Sequence, residues 1–224
     1  MPENQLKVGL GWWGFRDIPV DQHLDIADRF GFKTLEFGVG DTIATFPVDV
    51  LEAEIEAFTE TARKRGIQLT YATLENDFTV LGDDKEHRLA HTLEEMTLAR
   101  QIGAEYIRLF AGFTPVTEMT EEIYEWMRHA FYRSQEHANN IGLRIAMETR
   151  GQISMEEDAA VHLHTVSTHR DWLLRLIDDL PEEIGFNYDP GNLKAVEPED
   201  DRYALDILDP RINSCHLKDW KPTG

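Results

Sequence analysis

Three short segments place a group fit for acid–base or metal chemistry directly behind an apolar run. They are Ala146-Met147-Glu148-Thr149-Arg150-Gly151, Phe186-Asn187-Tyr188-Asp189-Pro190-Gly191-Asn192 and Cys215-His216-Leu217-Lys218-Asp219-Trp220. Two carboxylates and one imidazole on neighbouring strand ends make an oxygen-rich site with a single nitrogen donor. That donor set suits a divalent metal, Mn2+, Mg2+, Co2+ or Zn2+, and ligand softness alone does not choose among them. One polar residue behind a strand is ordinary loop chemistry; three in successive units point to a metal site with Glu148, Asp189 and His216 as its ligands. Arg108, Arg150 and Lys218 bring positive charge to the same rim. There they either bind a phosphate, a carboxylate or a developing oxyanion, or pair with Glu148, Asp219 and other local acids.

The elements that must position these groups follow from hydrophobic periodicity, which alternates short apolar β-type runs with longer amphipathic segments. Strands are expected at 7–15, 34–39, 68–74, 106–111, 144–148, 184–188 and 212–217, with helices at 20–30, 48–64, 85–101, 121–139, 170–179 and 202–207. Gly31, Gly66, Gly103 and Gly142 stand where helices should stop, each able to take a left-handed cap conformation. The stretch Gln152 to Ser167 breaks the pattern and is expected to be an irregular loop covering the site. It holds Glu156, Glu157, Asp158, His162 and His164; the two histidines flank Leu163 as they would on one strand face, but polar loop residues without a ligand role are the commoner case.

Strand–helix alternation means parallel strands with right-handed crossovers, hence an α/β fold. No Gly-x-Gly-x-x-Gly follows the first apolar run, which removes the main mark of a dinucleotide-binding sheet. Glu36, Glu75-Asn76-Asp77, Arg108, Glu148, Asp189 and His216 instead recur at strand carboxyl ends. In a (β/α)8 TIM barrel those ends face one central site, and the barrel is therefore the expected architecture, as a single domain over 1–224. An eighth strand–helix unit has no counterpart after Trp220, so the barrel is expected to be C-terminally incomplete. The unpaired edge this leaves calls for a further C-terminal segment or a covering partner, a homo-oligomer included.

With these residues in place, the sequence resembles the sugar phosphate isomerase/epimerase superfamily, the xylose isomerase-like barrels. That superfamily includes ketose 3-epimerases, hydroxypyruvate isomerases, inosose dehydratases and, more distantly, endonuclease IV. The resemblance runs through Leu74-Glu75-Asn76-Asp77-Phe78, the stretch Ile102 to Gly112, Met147-Glu148, Tyr188-Asp189-Pro190-Gly191-Asn192 and His216-Leu217-Lys218-Asp219. It implies a divalent metal held by a Glu on strand five, an Asp on strand six, a His on strand seven and a Glu on strand eight. Glu148, Asp189 and His216 match the first three, and the fourth has no counterpart here. Many relatives carry a His three residues after the strand-six Asp; Asn192 stands there, able to hydrogen-bond but not to take a proton at neutral pH.

The activity implied is isomerisation or epimerisation of a sugar, sugar phosphate or related hydroxy-carbonyl compound through an enediolate, with Glu148 as ligand and base. Two alternatives stay open: a metal-dependent polyol dehydratase of the inosose type, which starts with the same proton abstraction, and a non-catalytic sugar- or metal-binding barrel. Trp12 and Trp13 close the first apolar run with opposite facing, so one of them, with Trp13 the candidate, can stack on a sugar while the other packs inside. Glu36 either hydrogen-bonds substrate hydroxyls or holds a nearby Arg, and Cys215 reads as a small buried strand residue.

Composition narrows the partners. With 22 Lys+Arg against 42 Asp+Glu, the 224-residue chain carries a formal charge of −20. Binding to nucleic acid or an anionic membrane rests on basic residues, so both are disfavoured and a small molecule is expected. No apolar run approaches the ~20 residues of a membrane span and the start lacks a signal pattern, so a cytoplasmic location is expected. One Cys excludes an intrachain disulfide and any multi-cysteine metal site. The scattered acids also fit a surface adapted to high salt, where self-repulsion is screened.

Overall fold

The computed structural model describes residues 7–156, 159–200 and 202–218. Two compact units emerge: one from the residues up to Leu74 with Glu94–Ile107, the other from Glu75–Leu93 with Arg108 onward.

In the first unit β1 (Thr34–Val39) lies between β2 (Thr45–Phe46) and β3 (Gln68–Thr73), all parallel, in register Val39↔Phe46 and Gly38↔Thr73. Leu35 to Val39 are all buried, as expected of a parallel strand covered on both faces. Helices α1 (Val20–Phe30) and α2 (Glu52–Arg65) bury Leu24, Ala27, Phe58 and Ala62. Phe46 links strand and helix through edge-on contacts to Phe37 and Phe58, at centroid distances of 6.3 and 4.9 Å.

The strand expected over 7–15 is reduced to a single parallel bridge, Leu10↔Leu35. Past it the chain leaves the ladder, because Glu36 Oε1 accepts the Trp12 backbone N–H at 3.2 Å and Trp13–Phe15 coil into a 3-10 turn. Trp12 is driven inward, its indole donating to the Ala44 carbonyl at 2.8 Å. It packs so closely that a Cβ on Gly38 would lie 2.9 Å from the ring.

Helix α3 (Lys85–Ile102) and strand β4 (Tyr106–Leu109) carry the chain between the units, Arg108 and Leu109 belonging to the second. There β5 (Arg144–Glu148), β8 (Gly185–Tyr188) and β9 (Ile212–Cys215) run parallel in the order β5-β8-β9. Helix α4 (Glu121–Ile141) is capped by Thr120 and buries Tyr124, Met127, Phe131, Ser134 and Ala138, a stripe at helical spacing. Helices α5 (Arg170–Asp179), α6 (Pro190–Val196) and α7 (Tyr203–Leu208) complete the unit.

The stretch 152–167, expected to be an irregular loop, is irregular only past Leu163 among its described residues. Strands β6 (Gln152–Glu156) and β7 (Ala159–Leu163) form an antiparallel hairpin, with Ile153 opposite His162 and Met155 opposite Ala160. Glu157 and Asp158 lie outside the described residues. Cys215 is exposed rather than buried, because β9 alternates half-buried Ile212 and Ser214 with outward Asn213 and Cys215. Among the described residues no helix is long and apolar enough to cross a membrane.

Candidate functional site

Parallel pairing brings the carboxyl ends of β5, β8 and β9 to the same side, and the backbone bonding continues past the strands. Thr149 N–H donates to the Asn187 carbonyl at 3.1 Å, and His216 N–H to the Tyr188 carbonyl at 3.0 Å. The Asp189 N–H reaches Thr149 Oγ1 at 2.9 Å. Glu148, Asp189 and His216 are thereby set side by side, each offering a ligand atom within 4.8 Å of the others. Glu148 and Asp189 are buried and the His216 side chain is 25% exposed.

Asp189 has two tasks because β8 ends where α6 begins. Its Oδ1 caps the helix by accepting the Asn192 N–H at 2.8 Å, and Pro190 fills the first helical position, which needs no N–H donor. Its Oδ2 turns into the site, 3.2 Å from His216 Nδ1 and 3.0 Å from Lys218 Nζ. Burial pushes this carboxyl up, but the His216 bond, the Lys218 charge and the cap bond together hold it below its ordinary value.

Glu148 is different. Burial raises its carboxyl above the usual range, against the opposing pull of the Arg108 and His216 charges. Its Oε2 faces Arg108 Nε at 3.1 Å, and its Oε1 accepts from the Asn192 amide at 2.9 Å. Arg108 is buried, also pairs with Glu75 at 3.1 Å, and lies 3.9 Å over the Phe110 ring. The Arg150 guanidinium sits 5.4 Å from Phe110 and 5.5 Å from Phe113, close enough to lower the Glu148 carboxyl slightly. Lys218 also donates to Asn192 Oδ1 at 2.7 Å. Six of the sequence candidates beyond the base itself, namely Asp189, His216, Arg108, Arg150, Asn192 and Lys218, therefore gather around Glu148 in the second unit.

The remaining two candidates lie in the first unit. Glu36 is buried against the Trp12 backbone, and Trp13 is 43% exposed with the Arg16 guanidinium 4.3 Å over its ring. His162 faces outward on β7, while His164 Nδ1 lies 3.2 Å from the Thr168 carbonyl and its Nε2 3.7 Å from Glu197. Among the described residues Glu148, Asp189 and His216 are the group that brings three ligand atoms together. Asp219 lies outside the described residues.

Sequence reasoning placed Glu75 at a strand end without giving it a role, and it passed over Thr149 and Asn187, which also organise the site. Glu75 shares Arg108. Thr149 holds the Asp189 backbone through its hydroxyl. Buried Asn187 reaches the His216 ring with its amide at 3.2 Å and accepts from Ser214 at 2.9 Å. A polar Asn inside the apolar run Gly185–Tyr188 was the available signal for the last.

The residues present fit a divalent cation: two buried carboxylates at close range, whose charges repel, and one imidazole beside them. Comparison with known proteins identifies the fold. A family profile described as "Xylose isomerase-like TIM barrel" matches residues 24–224. A xylose isomerase domain protein from Planctomyces limnophilus is 22% identical at a TM-score of 0.69, over 89% of this chain and 70% of that one. The 3-keto-D-glucoside 4-epimerase of E. coli is 13% identical at 0.70, over 96% and 80%. A xylose isomerase-like TIM barrel protein from Mycobacterium smegmatis, in complex with magnesium, is 18% identical at 0.69, over 96% and 75%. A search of curated proteins gave no match.

Proposed function

The chain belongs to the xylose isomerase-like TIM-barrel family, and from that premise we propose that it is a divalent-metal-dependent isomerase or epimerase of a sugar, a sugar phosphate or a related hydroxy-carbonyl compound. The observation that carries the reading is Glu148: a carboxyl buried beside Asp189 and His216 and raised above its ordinary value, yet paired with Arg108. A buried carboxyl held by the Asn192 amide and faced by the Arg108 guanidinium is placed to take and return a proton. The solved relatives described as a 3-keto-D-glucoside 4-epimerase and as a magnesium complex support the same chemistry.

Glu148, Asp189 and His216 would hold the ion. Polarisation of a carbonyl and its neighbouring hydroxyl is the chemistry a divalent ion supplies when bound there. Glu148 removes the proton from the carbon beside the carbonyl, and the electron pair moves onto oxygen to give an enediolate. Arg108 and Arg150 supply fixed positive charge on that side, where charge develops. Asn192 fixes the Glu148 carboxylate through its amide, and the Thr149 hydroxyl fixes the Asp189 backbone. Returning the proton to the neighbouring carbon completes isomerisation, and epimerisation needs a second acid that delivers a proton to the opposite face of the same carbon.

The test is exchange of carbon-bound hydrogen in D2O, with a panel of ketoses and their phosphates in the presence of Mn2+. Exchange at the carbon beside the carbonyl that stops when metal is stripped, and falls about 10^2–10^4-fold in Glu148→Gln, supports the reading. Loss of water to an unsaturated product assigns the polyol dehydratase instead. Metal and sugar binding without exchange assigns a non-catalytic barrel.

A further inference from the structure

We propose that Lys218 is the internal counter-ion of this centre, neutralising Asp189 until a divalent cation displaces it. The inference rests on the metal-dependent reading and concerns how the site is regulated before it is loaded.

Both Asp189 oxygens are engaged. Oδ1 is bound to the Asn192 backbone N–H as the cap of α6. Oδ2, the oxygen left to ligate, faces His216 Nδ1 at 3.2 Å and Lys218 Nζ at 3.0 Å. His216 can turn a lone pair to a metal. The ammonium of Lys218 has three donors and no lone pair, so it can only stand in a cation's place.

Charge and mobility decide which group leaves. Glu148 faces Arg108, which Glu75 shares, at 3.1 Å, and Asp189 faces Lys218 at 3.0 Å, so compensating positive charge already stands beside both carboxylates. Adding a doubly charged ion leaves a surplus of positive charge at short range. Arg108 is fixed, with a side chain 3% exposed, tied to Glu75 and lying over Phe110. The Lys218 side chain is 40% exposed and reaches water by rotating its stem. That stem rests on Gly191, where a Cβ would lie 2.9 Å from Lys218 Cγ, so the absence of a side chain lets the ammonium reach Asp189.

The test compares wild type with Lys218→Met, Lys218→Gln and Lys218→Arg, all metal-stripped, by Mn2+ titration calorimetry and by melting temperature. Loss of the displaced charge-assisted bond predicts about tenfold tighter Mn2+ binding in the Met and Gln variants. It also predicts that these two melt below wild type when stripped and draw level at saturating Mn2+. The Arg variant keeps the charge and is expected to stay within a few-fold of wild type. Mn2+ binding by the Met and Gln variants, with none measurable in wild type and the Arg variant, supports the proposal in its strongest form. Equal or weaker Mn2+ binding in the Met and Gln variants overturns it while leaving the metal reading intact, and a lower stripped melting temperature without tighter binding does the same, marking Lys218 as merely structural. Failure of all four proteins to bind Mn2+ overturns both.

Discussion

Asp189 shows how much one carboxylate can be asked to do. One oxygen caps a helix and the other points into the candidate site, so two substitutions separate the tasks. Asp189→Asn keeps a side chain that caps as well as Asp and removes the charge. Asp189→Ala removes both. Metal binding is expected to vanish in each, while the metal-stripped Ala variant unfolds about 1 kcal/mol more easily than the Asn variant, read from denaturant titrations. Glu95 in α3 presents the opposite situation. It is buried, with its carboxyl against Gly40, and burial together with the Asp41 charge raises it to about 7 from an ordinary 4.5. Between those values the folded state holds the proton longer than the unfolded chain, so stability falls as pH rises through that window, and the penalty persists above it. At about 1.4 kcal/mol per unit that is up to about 3 kcal/mol. Glu95→Gln is therefore expected to melt higher than wild type at pH 8 and alongside it at pH 4.

At the scale of elements, the sequence was legible where apolar runs end sharply. The spans of α1, β1, β5 and α5 match the periodicity residue for residue, because glycine or polar residues close each run. The same sharpness exposed Glu148, Asp189 and His216, each lying just past or at the last apolar position. What periodicity missed has physical reasons. The β6–β7 hairpin alternates Ile153 and Met155 with Val161 and Leu163, but acidic residues between its arms mask a pattern that is only half apolar. Helix α6 is seven residues long, too short for a period, although Asp189-Pro190 is a recognisable start. The stretch 7–15 carries strand-type residues, yet Trp12 is held by two hydrogen bonds that it donates to residues far along the chain. Its seat depends on Gly38, where a Cβ would meet Thr45 Cγ2 at 2.6 Å and the Trp12 ring at 2.9 Å. Gly38→Ala is accordingly expected to lose about 1–3 kcal/mol, with Trp12 fluorescence shifting to longer wavelength in the native protein.

Across the whole molecule, a formal charge of −20 sets two effects against each other. Mutual repulsion among surface acids opposes folding, and only part of it is relieved by short-range pairs such as Glu60–Arg63 and Asp84–Arg88. Raising ionic strength from 0.01 to 1 M shortens the screening length from about 30 to about 3 Å, so the repulsion fades while the core is untouched. The melting temperature of the metal-stripped protein is therefore expected to rise along a KCl series. The same negative field favours a divalent cation over any anion, and screening weakens that pull too. Mn2+ affinity is thus expected to fall along the series in which stability climbs. Opposite slopes in the two measurements tie both to net charge; a flat melting temperature with falling affinity would place the effective charge at Glu148 and Asp189 alone and remove high-salt adaptation as the reason for the acidic composition.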